Sequence, residues 1–278
     1  MKMIDKFACV AAGVPGHSFA EKCVAIAQAG CDGVETIVFP DTRLEHWQAD
    51  VRAAAGGAGI TIATVILGGL ALHRNGCDAY VAEAMQAIAE VGAGVLLTPE
   101  YASQDPLPLF PPHAAPPPAE HERVRDAMRA IGVQATRLGC TVYVEPITHF
   151  ESRFCRCVDD ALALCEAADS AHVSVVLDTH NMNITEASIV GSIRRARGRI
   201  GHMHLADNNR MLPGCGHIAF DAVLAALCDI EYDGWLSFEC AAPGEFTAAV
   251  RKCTAWLRAG ASEESRRWAD ETPGSTAS

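Results

Sequence analysis

With 278 residues, half of them apolar, the chain suits one large domain or two small ones and has material for a sizeable core. A net charge of −12 repels phosphate backbones at long range, which argues against general nucleic-acid binding. No secretory start is visible, and the longest apolar run, Thr61 to Leu72, carries two glycines and is too short to span a bilayer.

In chain order, short β-rich runs alternate with longer helical patterns. The predicted pairs are Phe7–Ala11 with Phe19–Ala29, Gly33–Val38 with Leu44–Ala54, Thr61–Ile66 with Ala79–Val91, and Val95–Thr98 with Glu120–Leu138. They continue as Thr141–Glu145 with Val158–Ala168, Ser174–Asp178 with Ala187–Arg197, Ile200–Leu205 with Phe220–Cys228, and Trp235–Glu239 with Glu245–Leu257. The helical stretches place apolar residues at three- and four-residue spacing. The later strands are nearly all apolar, as parallel strands covered on both faces are. Eight strand–helix units in one chain predict a single-domain α/β (β/α)8 TIM barrel over residues 1–260. A doubly wound open sheet is the competing architecture, but no G-x-G-x-x-G follows the first strand.

Two segments break the alternation. Pro99 to Pro118 (residues 99–118) is rich in proline and follows the fourth strand, so it reads either as a lid over the strand ends or as a surface insertion. Residues 261–278 read as a polar, partly disordered tail. The twelve cysteines form no C-x-x-C pair and read as reduced structural thiols. The expected location is cytoplasmic, with no membrane and no nucleic-acid partner.

Barrel active sites collect at the C-terminal ends of the strands. Four consecutive predicted strands carry a metal-competent residue there: Glu145, Asp178, His204 and Glu239. Charges at the ends of apolar strands are costly unless paired or metal-bound. Three carboxylates and one imidazole suit one divalent ion, Mn2+ ahead of Mg2+ or Co2+, better than a structural zinc. The competing reading has each residue facing solvent or pairing with an arginine.

These residues stand in runs that resemble the xylose isomerase-like barrels, the sugar phosphate isomerases and epimerases, and within them the D-tagatose/D-psicose 3-epimerase group. The resembling runs are Glu145-Pro146 followed by Glu151, Leu177-Asp178-Thr179 followed by Met182-Asn183-Ile184, and His202-Met203-His204 followed by Asn209-Arg210 and Pro213-Gly214-Cys215-Gly216. The gaps of 33, 26 and 35 residues between the four candidate ligands fit the same group. The resemblance implies a metal-dependent epimerase or isomerase of a ketose or keto-polyol. Glu145 and Glu239 would then be both ligands and an acid/base pair, removing a proton next to a carbonyl through a metal-stabilised enediolate. Asp178 and His204 would be ligands only, while Glu151 and Arg210 would contact substrate hydroxyls. A small sugar-like substrate and a homo-oligomer are also implied.

The chain departs from the group at two substrate-facing positions. Asn181 replaces a histidine, with His180 one residue earlier, and His149 stands where an arginine precedes the aromatic Phe150. A substrate other than free D-psicose or D-tagatose is therefore expected. A lyase or dehydratase acting on a keto sugar or 3-keto glycoside shares the first proton abstraction and stays open. An endonuclease IV-like nuclease is a remote alternative, since it would need more histidines. Glu35 is read as ending the second strand and either touching substrate or pairing with a basic residue. Glu100-Tyr101, read as ending the fourth strand, is taken in the same two ways. His217, beyond the Pro-Gly turn, is a further substrate-contact candidate, and His202 either supports the ligand shell or simply packs.

Overall fold

The computed structural model describes residues 5–74, 76–101, 110 and 115–262. Eight parallel strands close into one barrel in sequential order: β1 Phe7–Val10, β2 Gly33–Val38, β3 Thr61–Leu67, β4 Gly94–Leu97, β5 Val142–Val144, β6 Val173–Asp178, β7 Ile200–Leu205 and β8 Trp235–Phe238. Strand β1 pairs with both β2 and β8, which seals the ring. The helices are α1 Phe19–Gln28, α2 Leu44–Ala58, α3 Cys77–Glu90, α4 Pro118–Leu138, α5 Val158–Ala168, α6 Thr179–Thr185, α7 Ile189–Arg195, α8 Phe220–Asp229 and α9 Phe246–Arg258. This is the (β/α)8 TIM barrel expected from the alternation.

Each long helix buries one stripe. Met85 and Ile88 of α3, Met128 and Ile131 of α4, and Val250, Cys253 and Leu257 of α9 join one continuous core with the strands. That periodic burial, rather than intrinsic propensity, holds helices of this length in place. Inside the barrel the Trp235 ring lies against Gly33 and the Tyr143 ring against Gly94 and Gly201. These rings stand two and four residues before Glu145 and Glu239 on the same inward-facing sides of their strands. They fill the interior below the carboxylates, so access to those carboxylates comes from the C-terminal face.

The differences from expectation are local. Helix α6 interposes directly after β6, where only a connection was expected. Its Ncap is Asp178 itself, whose side chain accepts from the N–H groups of His180 and Asn181. Pro118, expected outside regular structure, is the first residue of α4, a position where a missing N–H costs nothing. Most of the segment from Pro99 to Pro118 and of the 261–278 tail lies outside the described residues. All twelve cysteines are free thiols. Among the described residues no helix is long and apolar enough to cross a membrane.

Candidate metal centre

Glu145 and Glu239 each stand one residue past their strands, held there by sheet-like hydrogen bonds. Glu145 N–H donates to Leu97 O at 2.9 Å and Glu239 N–H to Leu205 O at 3.3 Å. Asp178 closes β6, and its neighbour across the ladder is His204. One ligand atom from each of Glu145, Asp178, His204 and Glu239 lies within 4.8 Å of the other three. The four positions chosen from strand ends thus converge on one point.

The donor atoms are already aimed. Asp178 Oδ1 is committed to the α6 cap, 2.6 Å from His180 N. Its Oδ2 is buried without a hydrogen bond and faces Arg210 Nη1 at 3.3 Å. His204 Nδ1 lies 3.1 Å from Glu145 Oε1 and 3.6 Å from Glu239 Oε2. An orphaned buried carboxylate oxygen beside two more carboxylates and an imidazole nitrogen fits a divalent cation, because leaving such charges unneutralised in a buried site is expensive. Burial pushes the Asp178 carboxyl up to about 6 despite Arg210, and raises Glu239 as well, with Glu145 adding to the rise.

Beneath the cluster lies a second buried group. Glu35 is fully buried within β2, not at its end, and is not among the residues lining the cavity, unlike the substrate contact expected of it. The alternative, a basic partner, is what the structure contains. Glu35 Oε1 faces His202 Nε2 at 2.9 Å, and Glu35 Oε2 faces His204 Nε2 at 3.2 Å and accepts from Thr64 Oγ1. Burial would raise the Glu35 carboxyl, but His202 and His204 outweigh it and hold it well below the carboxylate range. Burial also opposes charge on His204, yet Glu35, Glu239 and Glu145 together hold its imidazole well above the ordinary value. A carboxylate at Nε2 keeps the proton on that nitrogen, so Nδ1 is the atom that would lose its proton to a bound cation. Glu35→Gln is therefore expected to weaken divalent-metal affinity roughly 10- to 100-fold, measured by calorimetric titration. An unchanged affinity would make Glu35 a packing residue only.

The other candidates distribute unevenly. Arg210 Nη2 donates to Glu239 Oε2 at 2.6 Å and Nη1 to Asn181 Oδ1 at 3.3 Å, so both residues border the cluster. Arg210 holds a left-handed backbone, φ +59°, a conformation that non-glycine residues adopt at a cost. Its loop is fixed by Asp207, absent from the sequence-derived candidates. The buried Asp207 carboxylate accepts from the N–H groups of Asn208, Gly214, Gly216 and Ile218. An aspartate following an apolar strand and preceding a Pro-Gly-x-Gly turn was the signal available for it. Glu151 accepts from Thr148 Oγ1 at 2.8 Å, and its charge reaches Tyr101 and Arg210. His180 turns its Nδ1 to Asp207 O at 3.1 Å. His149 packs on Phe150, and His217 is exposed with its backbone N–H on Asn208 Oδ1; neither lines the cavity above the cluster. Glu100 is buried against Arg153 at 2.8 Å, which is the basic-partner reading.

Glu145 and Glu239 both line a cavity of about 550 Å3 that opens above them. Its other walls come from the C-terminal ends of β1 to β4, the segments that follow them and Tyr101, with Ile37, Phe39 and Ile66 prominent. The apolar residues among these carry no chemical motif, and nothing in the sequence marked them.

Comparison with known proteins places this geometry. The sequence is 29% identical over 249 residues to the 3-dehydro-D-guloside 4-epimerase of Escherichia coli (strain K12), covering 86% of this chain and 93% of that protein. It is 34% identical over 125 residues to an L-ribulose 3-epimerase of Mesorhizobium japonicum, covering 45% of this chain and 42% of that one. The fold superposes on the apo crystal structure of an E. coli 3-keto-D-glucoside 4-epimerase with a TM-score of 0.79, 26% identity, and coverage of 93% of this chain and 100% of that one. A D-psicose 3-epimerase structure matches with a TM-score of 0.76 at 21% identity, over 91% of this chain and 98% of that one, a likeness of fold. Residues 23–270 match the model of the xylose isomerase-like TIM barrels, and the chain belongs to that family.

Proposed function

We propose that this protein is a divalent-metal-dependent sugar epimerase acting next to the carbonyl of a keto sugar. The observation that carries this reading is the convergence of three carboxylates and one imidazole at the floor of a cavity into which two of them, Glu145 and Glu239, also reach. The 3-dehydro-D-guloside and ketose epimerases among its relatives support the reaction class and extend the substrate from a free ketose or keto-polyol to a keto glycoside.

When bound, the metal supplies a Lewis acid that polarises the substrate carbonyl. The oxygen-rich donor set favours Mn2+, Mg2+ or Co2+. The second metal-capable group, Glu35 with His202 and His204, shares His204 and is closed by its own hydrogen bonds, which supports a single ion.

The rest falls to the chain's own residues. Glu145 and Glu239 are the acid/base pair: one carboxylate oxygen takes the proton from the carbon beside the carbonyl, and the other carboxyl returns a proton to the opposite face, which inverts that carbon. Arg210, bonded to Glu239 Oε2, keeps that side chain in one rotamer and presents a cation to substrate oxygens.

Incubation of the metal-loaded protein with free ketoses, keto-polyols and 3-keto glycosides in D2O tests this. Deuterium is expected at the carbon next to the carbonyl, with product and substrate of equal mass in H2O. Loss of water or of an aglycone would replace the epimerase with a lyase, and no isotope exchange on any of these compounds would remove the proposal.

A further inference from the structure

Sugar-binding sites are usually lined with hydroxyl, amide and charged groups that match substrate oxygens. Most of this cavity is not, although His17, Ser18, Lys22, Thr36 and Thr98 are among its lining residues. Besides Glu145 and Glu239, its large lining side chains are apolar or aromatic: Ile37, Phe39, Ile66, Phe19 and Tyr101. Three of these large side chains stay open to solvent: Ile37 at 39%, Phe39 at 44% and Tyr101 at 54% exposure. Apolar surface left open inside a site, contiguous with its reacting groups, is a binding surface in search of an apolar ligand.

The shelf is built rather than incidental. The Phe39 ring lies directly on the bare backbone of Gly68, where an added Cβ would come within 2.4 Å of Cε1 and within 3.0 Å of Ile37 Cδ1. The strand ends beneath are pinned together. Gly68 N–H donates to Val38 O at 2.8 Å, and the Tyr80 hydroxyl reaches both Val38 O at 2.8 Å and Gly68 O at 3.3 Å. The turn carrying Phe39 is closed by Phe39 N–H to Thr42 Oγ1 and Thr42 N–H to Phe39 O, both 2.9 Å. An exposed aromatic held this firmly is pre-organised to stack a flat or apolar group at little entropic cost.

The geometry points to an aglycone subsite: we infer that Phe39, Ile37 and Tyr101 seat an apolar, aromatic substituent on the anomeric oxygen of a keto sugar whose ring occupies the space over Glu145 and Glu239. This rests on the epimerase reading and narrows its substrate to aryl-type glycosides. A cavity of about 550 Å3 lies within the range of drug-sized ligands, roughly 300–1,000 Å3, which accommodates a sugar ring carrying a second ring.

The test compares equilibrium binding of phenyl and methyl 3-keto-D-glucosides to the metal-loaded protein, beside Phe39→Ala and Gly68→Ala, the latter displacing the ring without removing it. The phenyl compound is expected to bind roughly 10- to 100-fold more tightly, the worth of burying one aromatic ring. In both variants the ratio is expected to fall to near one, with melting temperatures confirming that the variants fold. A ratio near one in the unaltered protein overturns the inference, as does a ratio untouched by both variants or the absence of binding by either glycoside. It also falls if Phe39→Ala changes the oligomeric state and not the ratio, because the shelf would then be a contact between copies of the chain. If the phenyl preference is present while D2O exchange fails, the subsite stands and the epimerase reading falls. If exchange occurs without the preference, the reverse holds.

Discussion

Glu239→Gln is expected to retain bound metal and fold while losing about a thousandfold in epimerisation rate, within the roughly 10²- to 10⁴-fold contribution of a positioned acid or base. The amide keeps an oxygen that can still ligate but has no carboxylate to take up a proton or carboxyl to return one. Glu145→Gln is expected to behave alike, and the two differ in a way that a purely ligating pair would not. If each glutamate serves one face of the reacting carbon, each single variant still exchanges the proton of one epimer with solvent deuterium without inverting it, and the two variants exchange opposite epimers. Isotope exchange followed by NMR, with the metal content of each variant measured in parallel, separates the outcomes. Equal loss of exchange from both epimers in both variants, with metal lost too, would reduce the pair to ligands.

His204→Ala is expected to lower divalent-metal affinity by at least about a hundredfold, more than the loss of its supporting partner Glu35. In the unaltered protein, metal at about a hundred times its dissociation constant adds about 2.7 kcal/mol of stability, a rise of roughly 5 °C or more in melting temperature, and His204→Ala is expected to abolish it. The same binding has a defined pH dependence. Asp178, raised to about 6, and Glu239, also raised, bind metal as carboxylates, and His204, raised well above its ordinary value, must give up its Nδ1 proton. Protons therefore compete with the metal, and affinity falls as pH falls through about 6. Asp178 alone contributes roughly a tenfold loss between about pH 7 and about pH 5, and the other two groups add to it. Calorimetric titration at several pH values measures this, and proton release on binding, read as a buffer-dependent heat, must accompany it. Affinity that rises on acidification would contradict the ligand assignment.

The barrel was legible because its signal is repeated eight times. Each apolar strand is short, each helix carries one buried stripe, and no single misjudged boundary changes the alternation. The metal cluster was legible for a related reason: Glu145, Asp178, His204 and Glu239 are polar residues at the ends of apolar runs, where burial makes a charge conspicuous. What stayed hidden lacked such contrast. Glu35 carries the same chemical signature as a ligand, and only the ring closure that brings β2 within reach of β7 across the barrel interior shows that it faces His202 and His204 and not solvent. Helix α6 is too short to display a helical period, and its start depends on Asp178 serving as a cap as well as a ligand. Ile37 read as an ordinary strand residue and Phe39, just past that strand, carried no motif, because nothing local says that Gly68, just past the next strand, leaves room for an exposed ring beside the cavity.

The most direct measurement is an anomalous difference map from crystals soaked in Mn2+. One peak is expected, at about 2 Å from the nearest carboxylate oxygens of Glu145, Asp178 and Glu239 and from His204 Nδ1. A map with no peak there, or with the ion held by other side chains, would contradict the assignment of these four residues as the metal centre.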